Sequence, residues 1–126
     1  MHIFLWFFLA TGLAAPPIYT CYIQENTGDD SLARYTISQG TASIPPSITG
    51  TFTAEPGTDG TASGNADYKF GTCDPLVTLT WKLDTVKQAM NWDLEVVCGP
   101  FIRVNLVYAN HTYTNFTIDS HYTWSY

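Results

Sequence analysis

Large and polar side chains alternate at a period of two along most of this chain, the period of strands with one buried face. The cleanest case is "LVTLTWKL", residues 76–83, where Val77, Leu79, Trp81 and Leu83 oppose Thr78, Thr80 and Lys82. "NWDLEVVC" places Trp92, Leu94, Val96 and Cys98 on one face and Asp93 and Glu95 on the other. "FIRVNLVY" sets Ile102, Val104, Leu106 and Tyr108 against Arg103 and Asn105. Three such segments with short connections predict an antiparallel meander, with room for one helical turn in "DTVKQAMN". "IYTCYIQE" and "SLARYTI" predict two earlier strands parted by the turn-rich "NTGDD", and "TYTNFTI" and "YTWSY" carry the pattern to the last residue. The expected fold class is all-β: antiparallel sheets, prism- or sandwich-like, in one small disulfide-stapled domain over residues 16–126.

One stretch breaks the alternation. Residues 38–67 are rich in Gly, Ser, Thr, Ala and Pro, and beyond a short edge strand in "SITGTF" they predict a flexible insertion. The final alternation of Tyr122, Trp124 and Tyr126 runs to the chain end, which reads as a truncation within a strand.

The first fifteen residues change the picture of compartment. Residues 3–9 are an unbroken apolar run, followed by Ala10, Gly12, Ala14 and Ala15; cleavage after Ala14 puts small residues where a signal peptidase needs them. The run is far shorter than the roughly 20 residues of a membrane span. Residues 1–15 are therefore read as an export signal. A formal net charge of −6, with the five basic residues scattered, argues against nucleic acid as a partner. Two acceptor sequons, "NHT" at Asn110 and "NFT" at Asn115, are expected to carry N-glycans.

An exported chain matures where thiols oxidise, so at least one disulfide is expected among Cys21, Cys73 and Cys98. Cys21–Cys73 is the preferred pair: both lie in or beside strands, and closing about 50 residues stabilises by roughly 4 kcal/mol in the chain-entropy model. Cys98 is then a buried thiol or the partner of a cysteine elsewhere.

A cysteine in "YTCYIQEN", then "SLARYTI", a polar stretch, "GTCDPLVTLTWKL", the "NWDLEV" strand and "FIRVNLVYANHTYTNFTI" follow in an order that resembles the luminal domain of the lysosome-associated membrane protein family. The resemblance covers residues 18 to 126. It implies a β-prism, a Cys21–Cys73 bridge, sugars on Asn110 and Asn115, and a place on the luminal side of endosomes or lysosomes, with membrane attachment only through a segment absent from this chain.

Candidate chemistry is sparse. A nucleophilic cysteine needs an adjacent base, and His111 and His121 read instead as a solvated turn residue and a surface ring. Asp93 and Glu95 share a strand face at roughly 7 Å, a spacing open to acid–base work, but it is the solvated face. In residues 59–70, Asp59, Thr61, Ser63, Gly64 and Asp67 match part of a calcium-loop frame, yet Phe70 stands where the bidentate Glu belongs. No catalytic residue, metal ligand or cofactor is assigned. Aromatic side chains are numerous; most are expected in the core, leaving Tyr108, Tyr113, Tyr122 and Tyr126 as candidates for a protein-binding face.

The sequence thus predicts a non-enzymatic, glycosylated luminal or extracellular domain with a protein partner. Two alternatives are a secreted lipocalin-like barrel for a small apolar ligand, and an immunoglobulin-like binding or effector protein. The last would pair Cys73 with Cys98 around Trp81.

Overall fold

A computed structural model describes residues 17–28, 32–37, 41–98 and 102–120. The segment read as an export signal, "YTWSY" and His121 lie outside the described residues. The strands are β1 (Tyr19–Glu25), β2 (Ala33–Ile37), β3 (Thr41–Ser43), β4 (Gly50–Glu55), β5 (Ser63–Phe70), β6 (Cys73–Asp84), β7 (Ala89–Val96), β8 (Ile102–Ala109) and β9 (Tyr113–Ser120). They form a five-stranded sheet, β3-β4-β1-β9-β8, and a four-stranded sheet, β2-β5-β6-β7. Every pairing is antiparallel except β1 with β9, which run parallel. The all-β expectation holds.

The alternation explains how the sheets meet. Tyr19, Cys21 and Ile23 of β1 point inward, as do Phe52 and Ala54 of β4 and Phe116 and Ile118 of β9. From the other sheet come Ala66, Tyr68, Val77, Leu79, Trp81, Leu83, Met90 and Leu94, and all belong to one buried cluster. Phe52 and Tyr68 join the layers edge-to-face, their ring centroids 6.3 Å apart. These side chains fill the middle of the space between the sheets, leaving a groove at one end between β7 and the β8–β9 hairpin. Of the two expected architectures the arrangement is the sandwich, two separate sheets and not one closed barrel.

Three expectations need correction. The meander stops after β7: β6 and β7 pair, but β8 belongs to the other sheet and pairs with β9. The segment between β6 and β7 is a tight turn, in which the Asp84 carboxylate accepts from the Val86 and Lys87 amides at 3.0 and 3.1 Å. The stretch read as a flexible insertion supplies β3, β4 and the start of β5. Ile44, Ile48, Phe52, Ala54, Ala62 and Ala66 of this stretch are buried, and Ala42 is partly so. Composition misled there because outward Thr51 and Thr53 separate Phe52 from its neighbours, and β-branched threonine suits a strand.

Among the described residues, the hydroxyls of Tyr19 and Tyr68 are buried in the core without a hydrogen-bond partner. Burial pushes the Tyr68 phenol above its usual range, with Cys21 adding to the shift and Arg34 opposing it. An unpartnered buried hydroxyl contributes nothing to offset its desolvation. Urea unfolding should therefore show Tyr68→Phe as stable as the wild type or more so. Phe52→Ala should lose about 3–5 kcal/mol through the cavity it opens. A loss above ~1 kcal/mol for Tyr68→Phe, the value of an ordinary hydrogen bond, would contradict this account of the core.

Candidate interaction surface

The cysteine pairing follows from register. In the β6–β7 ladder Val77 faces Val96, and beyond the last pair the Val97 and Cys98 amides both donate to the Leu76 carbonyl. The hairpin thereby delivers Cys98 beside Cys73, with Cα atoms 5.5 Å apart, and the two form a disulfide. Cys21–Cys73, the pair preferred from sequence and implied by the family resemblance, is not formed. Cys21 points into the sandwich from the other sheet and is a free, fully buried thiol. A sequence separation of 25 gives the bridge about 3.5 kcal/mol in the chain-entropy model. A structural disulfide of this kind belongs to an oxidising compartment.

The immunoglobulin-like reading required this pair with Trp81 between its members. Here, however, the bridge closes a hairpin within one sheet instead of joining two sheets. Trp81 packs instead on its cross-strand partner Trp92, ring centroids 5.7 Å apart.

The two sequons meet on the outer face of the five-stranded sheet. Asn110 sits in the loop between β8 and β9 and is exposed. Its Oδ1 accepts from the Thr112 and Tyr113 amides at 3.0 and 2.7 Å, while Nδ2 donates to the Tyr108 hydroxyl at 3.2 Å. The loop is tied at both sides: the Thr112 carbonyl accepts from Thr20 of β1 and the His111 carbonyl from Met90 of β7. Asn115 lies within β9, half-buried, opposite Tyr22 of β1 on one side and Tyr108 of β8 on the other. Its Oδ1 is buried without a partner.

Tyr108 reaches this face through an irregularity. The alternation predicts Tyr108 on the same face as Leu106. A bulge at Val107 inserts one residue, so Leu106 pairs with inward Phe116 while Tyr108 pairs with outward Asn115. Tyr108 then lies against Tyr113, centroids 6.2 Å apart. Tyr108 thus borders both asparagines, with Tyr22 opposite Asn115 and Tyr113 bonded to Asn110. A signal for this was present in the chain, since Tyr-x-Asn-x-Thr occurs twice in tandem, at 108–112 and 113–117.

At the far end of the same face Asp119 gathers three donors: Asn26 at 2.9 Å, Asn105 at 2.8 Å and Thr117 at 3.1 Å. The bond from Asn26, joined by those from Thr117 and Asn105 and by the Arg103 charge, holds its carboxyl below the usual range.

The other candidates separate. Asp93 and Glu95 are exposed on the outer face of the other sheet, as the alternation predicts. Asp59 is engaged locally, accepting from the Thr61 amide at 3.1 Å and hydroxyl at 2.9 Å, while Ser63, Gly64 and Asp67 are already in β5. Asp67 accepts from the Thr36 and Thr78 hydroxyls. Among the described residues no cluster of His, Cys, Asp and Glu could hold a metal ion. His111 is exposed beside Asn110.

No protein-family model matches the chain, and no curated protein matches it significantly.

Burial gives this arrangement a pH signature. It pushes the Cys21 thiol from 9.0 up to about 12. The unfolded chain releases that proton near 9, whereas the folded chain holds it to higher pH, so stability declines as pH rises through this window. Asp119 acts in the opposite sense: its lowered value contributes stability at neutral pH that is lost as pH falls through the carboxylate range. Urea midpoints measured across pH should fall at both ends, and Cys21→Ala should flatten the alkaline limb. An alkaline limb unchanged by that substitution would contradict the assignment.

Proposed function

We propose that this chain is an exported, non-enzymatic recognition domain whose working surface is the outer face of the five-stranded sheet. The observation that carries the reading is the convergence of Asn110 and Asn115 on one tyrosine-bearing face, in a chain with a structural disulfide. Sugars at these positions and the rings between them present apolar C–H faces, hydroxyls and phenols to a protein partner. Attachment replaces one Nδ2–H of asparagine by a bond to the first sugar. The proton and the diphosphate-lipid leaving group of the secretory donor depart together.

The remaining features fit a role through surface. Cys73 and Cys98 are bonded to each other, Cys21 is enclosed by the core, and the Asp93–Glu95 pair is on a solvated face. Within the secretory pathway, the resemblance to lysosome-associated membrane proteins points to the endosomal or lysosomal lumen. It does so on strand order and sequons alone, since the bridge it implies is not the one formed.

The test is production of the full chain in a secretory eukaryotic host, followed by intact mass before and after peptide-N-glycosidase. We expect a mass loss on treatment, with conversion of Asn110, Asn115 or both to Asp in the digested peptides. Secreted protein of unmodified mass would contradict the proposal.

A further inference from the structure

Among the described residues, the sheets end at β3 and β8 in one layer and at β2 and β7 in the other. A free edge offers unpaired N–H and C=O groups to any strand that meets it. Proteins therefore guard edges by shortness, charge or cover. β3 is three residues long. β2 has five, and its Arg34 guanidinium is bonded to the Ile44 carbonyl at 2.7 Å. β7 carries the exposed acids Asp93 and Glu95.

β8 has neither shortness nor more than one charge, and its guard is limited to the bulge at Val107. It is eight residues long and its charge is confined to Arg103, while Leu106, Val107 and Tyr108 are 61%, 58% and 53% exposed in succession. The bulge at Val107 carries apolar surface around both sides of the edge. Next to it a groove of about 350 Å³ opens between β7 and the β8–β9 hairpin, near the lower end of the range for small-ligand sites. Met90, Trp92 and Leu106 form its apolar lining, and Asn91, Asn110 and His111 its polar one.

We propose that the N-linked sugar on Asn110 is the cover for this edge: it lies back along β8 and the groove and prevents β8 from pairing with the same strand of a second copy. The inference rests on the glycosylation reading above. Asn110 directly follows β8, so Leu106 is within about 13 Å of the attachment point along the strand. Of the two Nδ2 hydrogens, one can remain on the Tyr108 hydroxyl while the other is replaced by the sugar. The retained bond fixes the amide plane, and because Asn110 itself lines the groove the first ring starts at its rim. Trp92 and Leu106 offer surface for the C–H faces of later rings, and Asn91 and His111 offer partners for their hydroxyls.

The experiment compares four samples of the full secreted chain: wild type, the same protein deglycosylated after folding, Thr112→Ala and Asn115→Gln. Thr112→Ala removes the first sequon but keeps Asn110 and the backbone bonds of its turn. Glycan occupancy is read by peptide mass and self-association by light scattering over a concentration series. Wild type and Asn115→Gln should stay at the mass of one copy. The deglycosylated protein and Thr112→Ala should rise to two copies or more, and adding Val107→Lys to Thr112→Ala should return it to one. Sugar on wild-type Asn110 together with a monomeric Thr112→Ala would overturn this inference and leave the recognition reading standing. Sugar on Asn115 alone overturns it in the same way, whereas absence from both asparagines overturns both.

Discussion

The antiparallel ladder between β6 and β7 is the constraint from which the other features follow. Its pairs run from Val77 with Val96 to Asp84 with Ala89, closed by the turn in which the Asp84 carboxylate holds two amides. That register stacks Trp81 on Trp92 and brings Cys73 to Cys98, so sulfur and indole fasten the same pair of strands. With Cys73 engaged there, Cys21 is left to serve as a small apolar side chain between the sheets. β7 is also the last strand of its sheet. The chain then has to continue in the opposite layer, and the β8–β9 hairpin that results carries both sequons.

Much of this was legible in the chain. The faces of β6 and β7 are those the alternation indicates: Val77, Leu79, Trp81 and Leu83 are buried, and Asp93 and Glu95 are exposed. What period-two patterning does not encode is which strands pair. β1 lies between β4 and β9, and its parallel partner is nearly a hundred residues away in sequence, an association that no local turn signal announces. The disulfide was closer to hand. Pairing Val77 with Val96 across a four-residue turn puts Cys73 within two positions of the residue opposite Cys98. Loop length favoured the longer Cys21–Cys73 closure, but geometry decides a disulfide, and a favourable loop entropy cannot move Cys21 out of the opposite sheet.

The candidate surface was half legible. Sequons identify Asn110 and Asn115, and composition flags an excess of tyrosine. Their convergence depends on one inserted residue at Val107, which reverses the face of Tyr108. A bulge leaves no trace in hydrophobicity when the residues around it, here Leu106, Val107 and Tyr108, are all apolar or aromatic. The same insertion lies where Leu106, Val107 and Tyr108 are exposed in succession.

The most direct test of this account is a cysteine map of the folded protein. Thiols are labelled first in native buffer, then with a second reagent after unfolding without reductant, and the chain is digested unreduced. The account predicts a Cys73–Cys98 linked peptide and a Cys21 peptide carrying only the second label. A peptide joining Cys21 to Cys73, or Cys21 modified in the native protein, would contradict it.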